Sequence, residues 1–227
     1  MAARTFLQLV QETHREAGVG GSPPSAVTSQ VGRAADIVRW VNKAHEKIQL
    51  LHPDWTFDWA RSNCNLSSGD DLYDPVVDFG ITLGIRNFVR EGAYVYDTTV
   101  GVSSRQWMQY LEWERFRSIC IPVVNGIPTA FTLRPDGNVQ YFPRPDRANL
   151  VAVHEYYLQP QTLTASSDTP RIPSEYQDVI VWQAVMLYCD RIKDQARYNS
   201  AIGEYDELID KMEQRCRPGI TIGGPLA

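Results

Sequence analysis

The sequence lacks the short motifs that mark the common classes of enzyme. It contains no G-x-S-x-G nucleophile elbow, no H-E-x-x-H zinc motif, no Walker lysine and no dinucleotide-binding fingerprint. Its few histidines fall in different predicted elements, so none has an obvious partner for acid–base chemistry. They are His14, His45, His52 and His154. The sequence therefore does not indicate catalysis, and we expect no cofactor.

Cysteine is scarce, and the four cysteines are far apart. No C-x-x-C pair is present and no histidine lies at ligand spacing, so we expect free thiols in a reducing compartment and no metal site. The cysteines are Cys64, Cys120, Cys189 and Cys216. The aspartate-rich residues 70–78 lack the twelve-residue spacing and the terminal glutamate of a calcium loop, which favours a solvated turn.

An excess of positive charge and long apolar runs are also missing. A net charge of -5 argues against a protein that grips nucleic acid through its phosphates. No segment approaches the length of a membrane span, and polar residues interrupt residues 1–18 where a signal peptide needs an apolar run, so we expect a cytoplasmic protein. At 227 residues and 43% hydrophobic content, the chain can bury a core without disulfides or metal.

The clearest pattern that is present covers residues 31–59. Apolar residues recur every three or four positions, which predicts an amphipathic helix with one buried face. The apolar positions are Ala34, Ile37, Val41, Ala44, Ile48 and Leu51. Pro53 disfavours helical geometry at His52, so the helix is expected to end there. Aromatic residues then alternate with the period of a strand, which predicts an entry into β structure. They are Trp55, Phe57 and Trp59.

The middle of the chain is predicted to be rich in β structure. After turn-rich residues 60–102, Ser103 or Ser104 is the candidate cap of a short helix that extends to Phe116. Residues 119–157 then predict a small antiparallel sheet, in which the turn at residues 135–137 (Pro-Asp-Gly) joins two alternating runs into a hairpin.

Helices are predicted at both ends of the chain. Residues 6–17 form a short amphipathic pattern that Gly18 ends, and two further helices follow Pro173, with a break at residues 194–197. The expected fold class is therefore α+β: a helical bundle of the N- and C-terminal helices with an inserted antiparallel β domain. The expected boundaries are residues 1–59 and 161–217 for the helical body, 60–160 for the inserted β-rich region with one short helix, and 218–227 for an extended tail.

Two features suggest contacts with other proteins. The predicted helix at residues 103–116 is apolar on more than one side, so it either lies between two layers or meets a partner through Trp107, Tyr110 and Trp113. In the tail, Ile220 and Ile222 alternate beside glycines, a pattern that fits either a strand added to a neighbouring sheet or a disordered terminus.

The order of these elements resembles the head-to-tail adaptor proteins of tailed bacteriophages. The segments IVRWVNKAHEKIQLLHPDWTFDW, DLYDP, GIPTAFTLRPDGNVQYFPRPD and IPSEYQDVIVWQAVMLYCDR carry the resemblance, which covers residues 5–212. The matched positions are Trp40, Asn42, Trp55, Phe57, Trp59, Pro128, Pro143, Pro145 and Pro173. The fit is weaker over residues 78–99 and does not extend beyond Arg217.

The resemblance implies a ring of twelve copies beneath the portal protein, with a platform for the next tail component (nozzle, stopper or tail tube). It places the protein in the virion at the head–tail junction, after assembly in the host cytoplasm, with no membrane. The genome would pass through the ring without sequence-specific binding. An acidic helix face could line that channel, because carboxylates offer DNA phosphates no ion pairs to break. The candidates are Glu204, Asp206, Glu207, Asp210 and Glu213.

Two other hypotheses remain open at this point. One is a virion-associated glycan (peptidoglycan) hydrolase that uses paired carboxylates across the β region, although the sequence offers no way to pair them. The other is a monomeric regulatory or scaffold protein with a peptide-binding groove. For a ring subunit, we expect a largely monomeric free protein that assembles only on its partner.

Overall fold

The computed structural model describes residues 2–82, 84–120 and 123–218. The chain divides into two compact units, and the first is built from both ends of the chain: Met1–Asp58 with Pro160–Ala227 form the helical unit, and Trp59–Gln159 form the β unit. The helices are α1 (Phe6–Glu16), α2 (Gly32–Leu51), α3 (Trp113–Ile119), α4 (Asp178–Ile192) and α5 (Gln195–Cys216). The α+β class is confirmed, because N- and C-terminal helices flank a β region.

The ends of the helices follow local chemistry. Helix α1 begins with a capping box, in which the Thr5 hydroxyl accepts the Gln8 amide at 3.3 Å and the Gln8 side chain accepts the Thr5 amide at 2.8 Å. Helix α2 ends before Pro53, as predicted. Helix α4 ends at Ile192 and is followed by Lys193, whose backbone is left-handed. The Asp194 side chain caps α5 by accepting the Arg197 amide at 3.1 Å.

The buried face of α2 confirms most of the sequence pattern. Four of its apolar positions are fully buried: Ile37, Val41, Ala44 and Ile48. Leu51, however, is 42% exposed, so the prediction was wrong for the last turn. The reason is Trp55, which is fully buried and whose indole N–H donates to the Ile48 carbonyl at 3.1 Å. Trp55 covers the end of the buried face in place of Leu51.

The alternating aromatic residues after α2 do not form a strand throughout. Residues Thr56–Asp58 form a short 3-10 turn, closed by the Asp58 amide on the Trp55 carbonyl at 3.0 Å, and the first strand begins only at Trp59. The turn buries Asp58, whose carboxylate lies 3.2 Å from Nη1 of Arg171. Burial lowers the pKa of Arg171, and the Asp58 carboxylate opposes that shift.

Two side-chain amides on α2 hold the chain where it re-enters the helical unit. Asn42 donates to the Leu163 carbonyl at 2.8 Å and accepts the Leu163 amide at 3.1 Å. Gln49 lies seven residues, two helical turns, further along, and it binds the amide and the carbonyl of Gln161 at 2.7 and 3.1 Å. Together they fix residues 161–163 against one face of α2, and Leu163 is fully buried there.

The β unit contains two principal sheets and a small third one. The strands are β1 (Trp59–Asn65), β2 (Leu72–Tyr73), β3 (Ile85–Phe88), β4 (Tyr94–Asp97), β5 (Gln106–Trp107), β6 (Gln109–Tyr110), β7 (Asn125–Gly126), β8 (Ala130–Leu133), β9 (Val139–Phe142), β10 (Arg144–Pro145) and β11 (Leu150–Leu158). The five-stranded sheet has the order β1-β11-β4-β5, with β3 also paired to β11, and the four-stranded sheet has the order β2-β9-β8-β6. Strands β7 and β10 form a separate parallel pair.

The two larger sheets share one core. It contains Val95, Ala152 and Tyr156 from the five-stranded sheet and Phe131 and Tyr141 from the four-stranded sheet. We call the side of the five-stranded sheet that faces this core its inner face. Side chains alternate along a strand, so neighbouring residues such as Tyr94 and Val153 lie on the outer face, where they form a separate small cluster.

The predicted helix at residues 103–116 was wrong. Val102–Ser104 form a short 3-10 turn, strands β5 and β6 lie on either side of Met108, and the α-helix begins only at Trp113. The backbone here is used for pairing: the Met108 amide donates to the Ala93 carbonyl at 2.9 Å, and the Gln109 amide donates to the Thr129 carbonyl at 2.8 Å. The chain crosses from the five-stranded to the four-stranded sheet at Met108, which is buried between them.

The single sheet predicted over residues 119–157 was also wrong, although its hairpin is confirmed. Strands β8 and β9 pair antiparallel around a turn in which Gly137 has a φ of +90°. Strand β11 pairs with β1, β3 and β4 instead and belongs to the other sheet. Ile119 ends α3, and residues 121–122 lie outside the described residues.

His154 lies in the core of the β unit. It is fully buried against the rings of Phe79, Phe88 and Phe131, and its Nε2 lies 2.7 Å from the Tyr141 hydroxyl. Its other ring nitrogen, Nδ1, has no hydrogen-bond partner in the described part of the chain. Burial lowers the pKa of His154 to about 3, so this imidazole is neutral in the folded protein at neutral pH.

We expect the free energy of unfolding to fall as the pH is lowered below about 6.5. The reason is that His154 takes up a proton near pH 6.5 in the unfolded chain, whereas in the folded protein its pKa is about 3. This contribution is complete above pH 6.5. Urea unfolding followed by tryptophan fluorescence at pH 7, 6 and 5 measures it. His154→Gln, which cannot titrate, should be less stable at pH 7 and should show a smaller loss between pH 7 and 5. Equal losses in the two proteins would contradict the assignment.

Gly18 follows helix α1 and lies beside Arg197, which is in the first turn of α5. Its φ is +60°, and the Arg197 guanidinium donates to the Ala17 carbonyl just before it. A Cβ added at Gly18 would lie 2.7 Å from Nη2 of Arg197. We expect Gly18→Ala to lower the free energy of unfolding by about 1–2 kcal/mol, because alanine disfavours the left-handed backbone. The free energy should fall further because the new Cβ displaces the Arg197 side chain.

Gly20→Ala provides the matched control, because a Cβ there meets nothing within 4 Å and its φ is not in the left-handed region. Its effect should stay within about 0.5 kcal/mol. Chemical denaturation of the two variants tests the difference, and equal stabilities would show that Gly18 is not constrained.

Candidate interaction surfaces

The described residues hold no group of three or more histidine, cysteine, aspartate or glutamate side chains that could bind a metal ion. Over that same part of the chain, no helix is both long enough and apolar enough to cross a membrane. The aspartates at residues 70–78 serve local structure: Asp74 accepts two backbone amides, and Asp71 lies 3.3 Å from Nε of Arg144.

The outer face of the five-stranded sheet carries a row of arginine and aromatic side chains. Strands β4 and β5 pair so that Tyr94 lies opposite Trp107, and their ring centroids are 5.3 Å apart. Arg61 on β1 reaches the Tyr94 ring from one side, with Cζ 5.5 Å from the centroid, and Arg105 lies over Trp107 at 5.7 Å. We call Arg61, Tyr94, Trp107 and Arg105 the arginine–aromatic row.

The loop between β4 and β5 is ordered by one carboxylate. Asp97 accepts hydrogen bonds from the Thr99 hydroxyl at 2.6 Å, from the Thr99 amide at 2.9 Å and from the Asn149 side chain at 2.6 Å. The bonds from Thr99 are the main reason that the pKa of Asp97 lies below its ordinary value. The loop so fixed presents Val100 and Val102, which are 63% and 51% exposed, next to the row.

The three predicted interface aromatics do not share one helix face. Trp107 lies in the row and is 58% exposed. Tyr110 and Trp113 are half-buried and lie in another part of the β unit, where Tyr110 packs on Phe131 and Trp113 on Phe116. Ile220 and Ile222, the other interface candidates, lie outside the described residues.

The predicted acidic candidates lie along the exposed side of α5. That helix buries its opposite side through Ala201, Ile209 and Met212. The exposed carboxylates are Glu204, Asp206, Glu207 and Asp210. Glu207 pairs with Lys211, and this hydrogen bond lowers the pKa of Glu207. We call these four residues the acidic strip.

Glu213, the fifth candidate, lies at the margin of the strip. It is half-buried, and its Oε1 is 2.8 Å from Nε2 of His52, which follows the last residue of α2. The structure thus brings four of the five carboxylates together on an open helix face and engages the fifth in packing α5 against the end of α2.

The cations of the β unit are all arginine. The chain has four lysines, Lys43, Lys47, Lys193 and Lys211, and all of them belong to the helical unit. The β unit has nine arginines: Arg61, Arg86, Arg90, Arg105, Arg115, Arg117, Arg134, Arg144 and Arg147. Arginine stacks on aromatic rings and is enriched at protein interfaces, whereas lysine is depleted there. The positive charge of the β unit is therefore carried by the cationic side chain that is enriched at protein interfaces.

A cavity of about 230 Å³ lies beside the junction of α4 and α5, and its lining includes Asp190, Asp194 and Cys189. Asp190 pairs with Lys193 at 3.1 Å, and Asp194 caps α5, so both carboxylates have structural partners. The Cys189 thiol is buried, and burial raises its pKa, which disfavours a reactive thiolate. Nothing in this lining indicates the paired carboxylates of a glycosidase.

Sequence reasoning missed most of the arginine–aromatic row. Trp107 was identified, but as part of a helix, and no pattern in the sequence pairs Arg61 with Tyr94 across three strands. The alternation of Tyr94, Val95 and Tyr96 was a signal for a strand with one aromatic face. Only strand pairing shows which residues lie beside that face.

The described residues thus combine an α+β fold with exposed arginine, aromatic and acidic side chains. The family model of the SU10 adaptor protein matches residues 4–221, nearly the whole chain. The chain therefore belongs to the SU10 adaptor protein family, and its resemblance to phage head-to-tail adaptors is confirmed. No curated protein matches the sequence.

Proposed function

We propose that this protein is the subunit of a twelve-membered ring that docks beneath the portal protein and links the DNA-filled capsid to the next tail component, a nozzle, stopper or tail tube. The observation that carries the proposal is the family match over residues 4–221. The protein is then a virion component at the head–tail junction, assembled in the host cytoplasm.

The exposed surfaces support a role in assembly. A single subunit of a ring contacts its two neighbours and the components above and below, so it needs several separate binding surfaces. The arginine–aromatic row carries the residue types that dominate protein interfaces, with Trp107 more than half exposed. A monomeric regulatory protein with one groove does not need exposed aromatic residues on the outside of a sheet.

The acidic strip on α5 is our candidate for the channel wall. Three of its carboxylates, on Glu204, Asp206 and Asp210, have no ion-pair partner in the part of the chain that the structure describes. Such a wall repels the DNA phosphates, so the genome slides past without forming contacts that must then be broken. DNA therefore passes through the ring without sequence-specific binding.

The location and copy number of the protein test the main proposal. Cryo-electron microscopy of particles that carry it should show twelve copies between the portal and the tail. A position elsewhere in the particle, or a single copy, would contradict a ring subunit.

The state of the free protein provides a second test. We expect the purified chain to elute as a monomer in size-exclusion chromatography with light scattering, and to form rings when portal protein is added, because premature closure would remove subunits from assembly. Stable twelve-membered rings of the purified chain alone would show that assembly does not wait for the portal.

The channel assignment predicts an effect on genome release. A variant with Glu204→Gln, Asp206→Asn and Asp210→Asn should release DNA more slowly, because a neutral wall no longer keeps the phosphates away. Time-resolved ejection from particles with the variant measures the rate. Glu16→Gln with Glu46→Gln, two exposed carboxylates on other helices, is the matched control and should eject at the normal rate. Unchanged ejection kinetics in the triple variant would show that α5 does not line the channel.

A further inference from the structure

A second exposed feature of the β unit lies in a tight turn, Asp74–Asp78, which we call the valine turn. The Asp74 side chain accepts the amides of Val76 and Val77 at 2.7 and 3.2 Å, and the Asp78 side chain accepts the Asp74 amide at 2.6 Å. The Asp78 amide closes the turn on the Asp74 carbonyl at 2.8 Å. These hydrogen bonds hold the turn in one conformation in the unbound protein.

This ordered turn displays two apolar side chains to solvent. Val76 is 55% exposed and Val77 is 78% exposed, although adjacent Phe79 is buried in the core of the β unit. The fold gains nothing from two exposed valines on a fixed turn, whereas a binding partner would gain buried apolar area with little loss of conformational entropy.

The valine turn is surrounded by negative charge. Asp70, Asp74 and Asp78 are exposed, and none of them has an ion-pair partner within the described residues. The feature therefore combines an apolar tip with an acidic rim, and its complement is an apolar surface flanked by cations.

The arginine–aromatic row provides that complement. Arg61 and Arg105 are exposed and lie on aromatic rings, and neither has a carboxylate partner in the part of the chain that the structure describes. Between and beside them, Trp107 and Val102 are more than half exposed. Arg61 also donates a hydrogen bond to the Tyr94 hydroxyl. The row thus offers apolar contact and two guanidinium groups without a carboxylate partner in the described residues.

One copy cannot bring its own two features together. The valine turn is tethered on the inner side of the five-stranded sheet, because Phe79 and Ile81 are buried in that core and the Phe79 carbonyl accepts the Ser62 hydroxyl of edge strand β1 at 2.5 Å. Trp107 lies on the outer face at the other edge, on β5. Both features belong to one compact unit, so any contact between them joins two molecules.

We propose that the valine turn of one copy packs on the arginine–aromatic row of the next copy, with the carboxylates of the turn facing Arg61 and Arg105. This contact uses two different surfaces, so it is heterologous and propagates from copy to copy until it closes. The inference rests on the proposed ring and assigns the surfaces that join its subunits.

The acidic strip on α5 is a weaker partner for the row. It has the charge, but among its neighbours on the helix only Ile202 is an exposed apolar residue, at 37%. Trp107, Val100 and Val102 need an apolar partner, and the valine turn supplies two side chains at its tip. The acidic strip takes no part in this contact, so it can still line the channel.

Site-directed cross-linking of the full chain tests the contact. Val77→Cys and Val102→Cys are made separately, on a background in which the half-buried Cys120 is replaced by serine. The two variants are mixed with portal protein and treated with a short thiol-specific cross-linker. We expect a dimer that contains one chain of each kind, and a chain with both substitutions should give a series of multimers. Val123→Cys, 72% exposed in the same unit, is the matched control for Val77→Cys and should give no product with Val102→Cys.

The binding energy provides an independent readout. Trp107→Ala should weaken ring formation on the portal about tenfold or more, as expected for a central aromatic contact. Circular dichroism should remain unchanged and thermal unfolding should shift only slightly, because Trp107 is 58% exposed although it contacts Tyr94 and Arg105. A variant that assembles as well as the original protein would contradict the contact.

The cross-linking outcomes separate this inference from the proposed function. Rings that form without the mixed product, or with only Val77–Val77 and Val102–Val102 products, would overturn the contact and leave the ring intact. A product between either cysteine and the portal would assign the surface to that partner and overturn contact between copies. If the chain forms no multimer with the portal at all, both the contact and the ring proposal are wrong.

Discussion

The helical unit depends on hydrogen bonds from two amides of α2 to a segment that follows it by more than a hundred residues. Asn42 and Gln49 hold residues 161–163, and α4 and α5 follow that segment in the chain. Because the β unit, Trp59–Gln159, is inserted into the helical unit, the second half of the helical unit must find its register after that insertion, at a cost in chain entropy. Hydrogen bonds from side-chain amides to the backbone fix the register of residues 161–163 more strictly than apolar contacts, which allow one segment to slide along another. The burial of Leu163 completes the attachment.

A buried charge pair lies in the same region. Arg171 pairs with Asp58, and its amide donates to the Gln161 side chain at 2.9 Å, so the pair is connected to the segment that the amides hold. Buried ion pairs contribute little net stability against apolar packing, but they are costly to misplace. We infer that their benefit here is specificity, because Arg171 reaches both the Asp58 carboxylate and the Gln161 side chain in the folded helical unit.

Much of the helical unit could be predicted from the sequence, because helix periodicity and caps are local. The stop before Pro53 and the break near Asp194 follow from neighbouring residues, and so does the hairpin at Gly137 in the β unit. Residues 103–116 could not be predicted, since short strands have no period long enough to outweigh an apolar run. What decides them is pairing with Ala93 and Thr129, which are distant in sequence. The same limit applies to the arginine–aromatic row, which could not be predicted because three strands contribute to it. The acidic candidates could be predicted because they all lie on one helix.

The division of cations between the units has a practical consequence. All four lysines are in the helical unit, and the positive charges of the β unit are guanidinium groups. Reagents that modify amines, including most cross-linkers used to map large assemblies, would therefore label only one of the two units. An unlabelled β unit would not mean that it is shielded, and its neighbours would be visible only to chemistry directed at carboxylates, thiols or guanidinium groups.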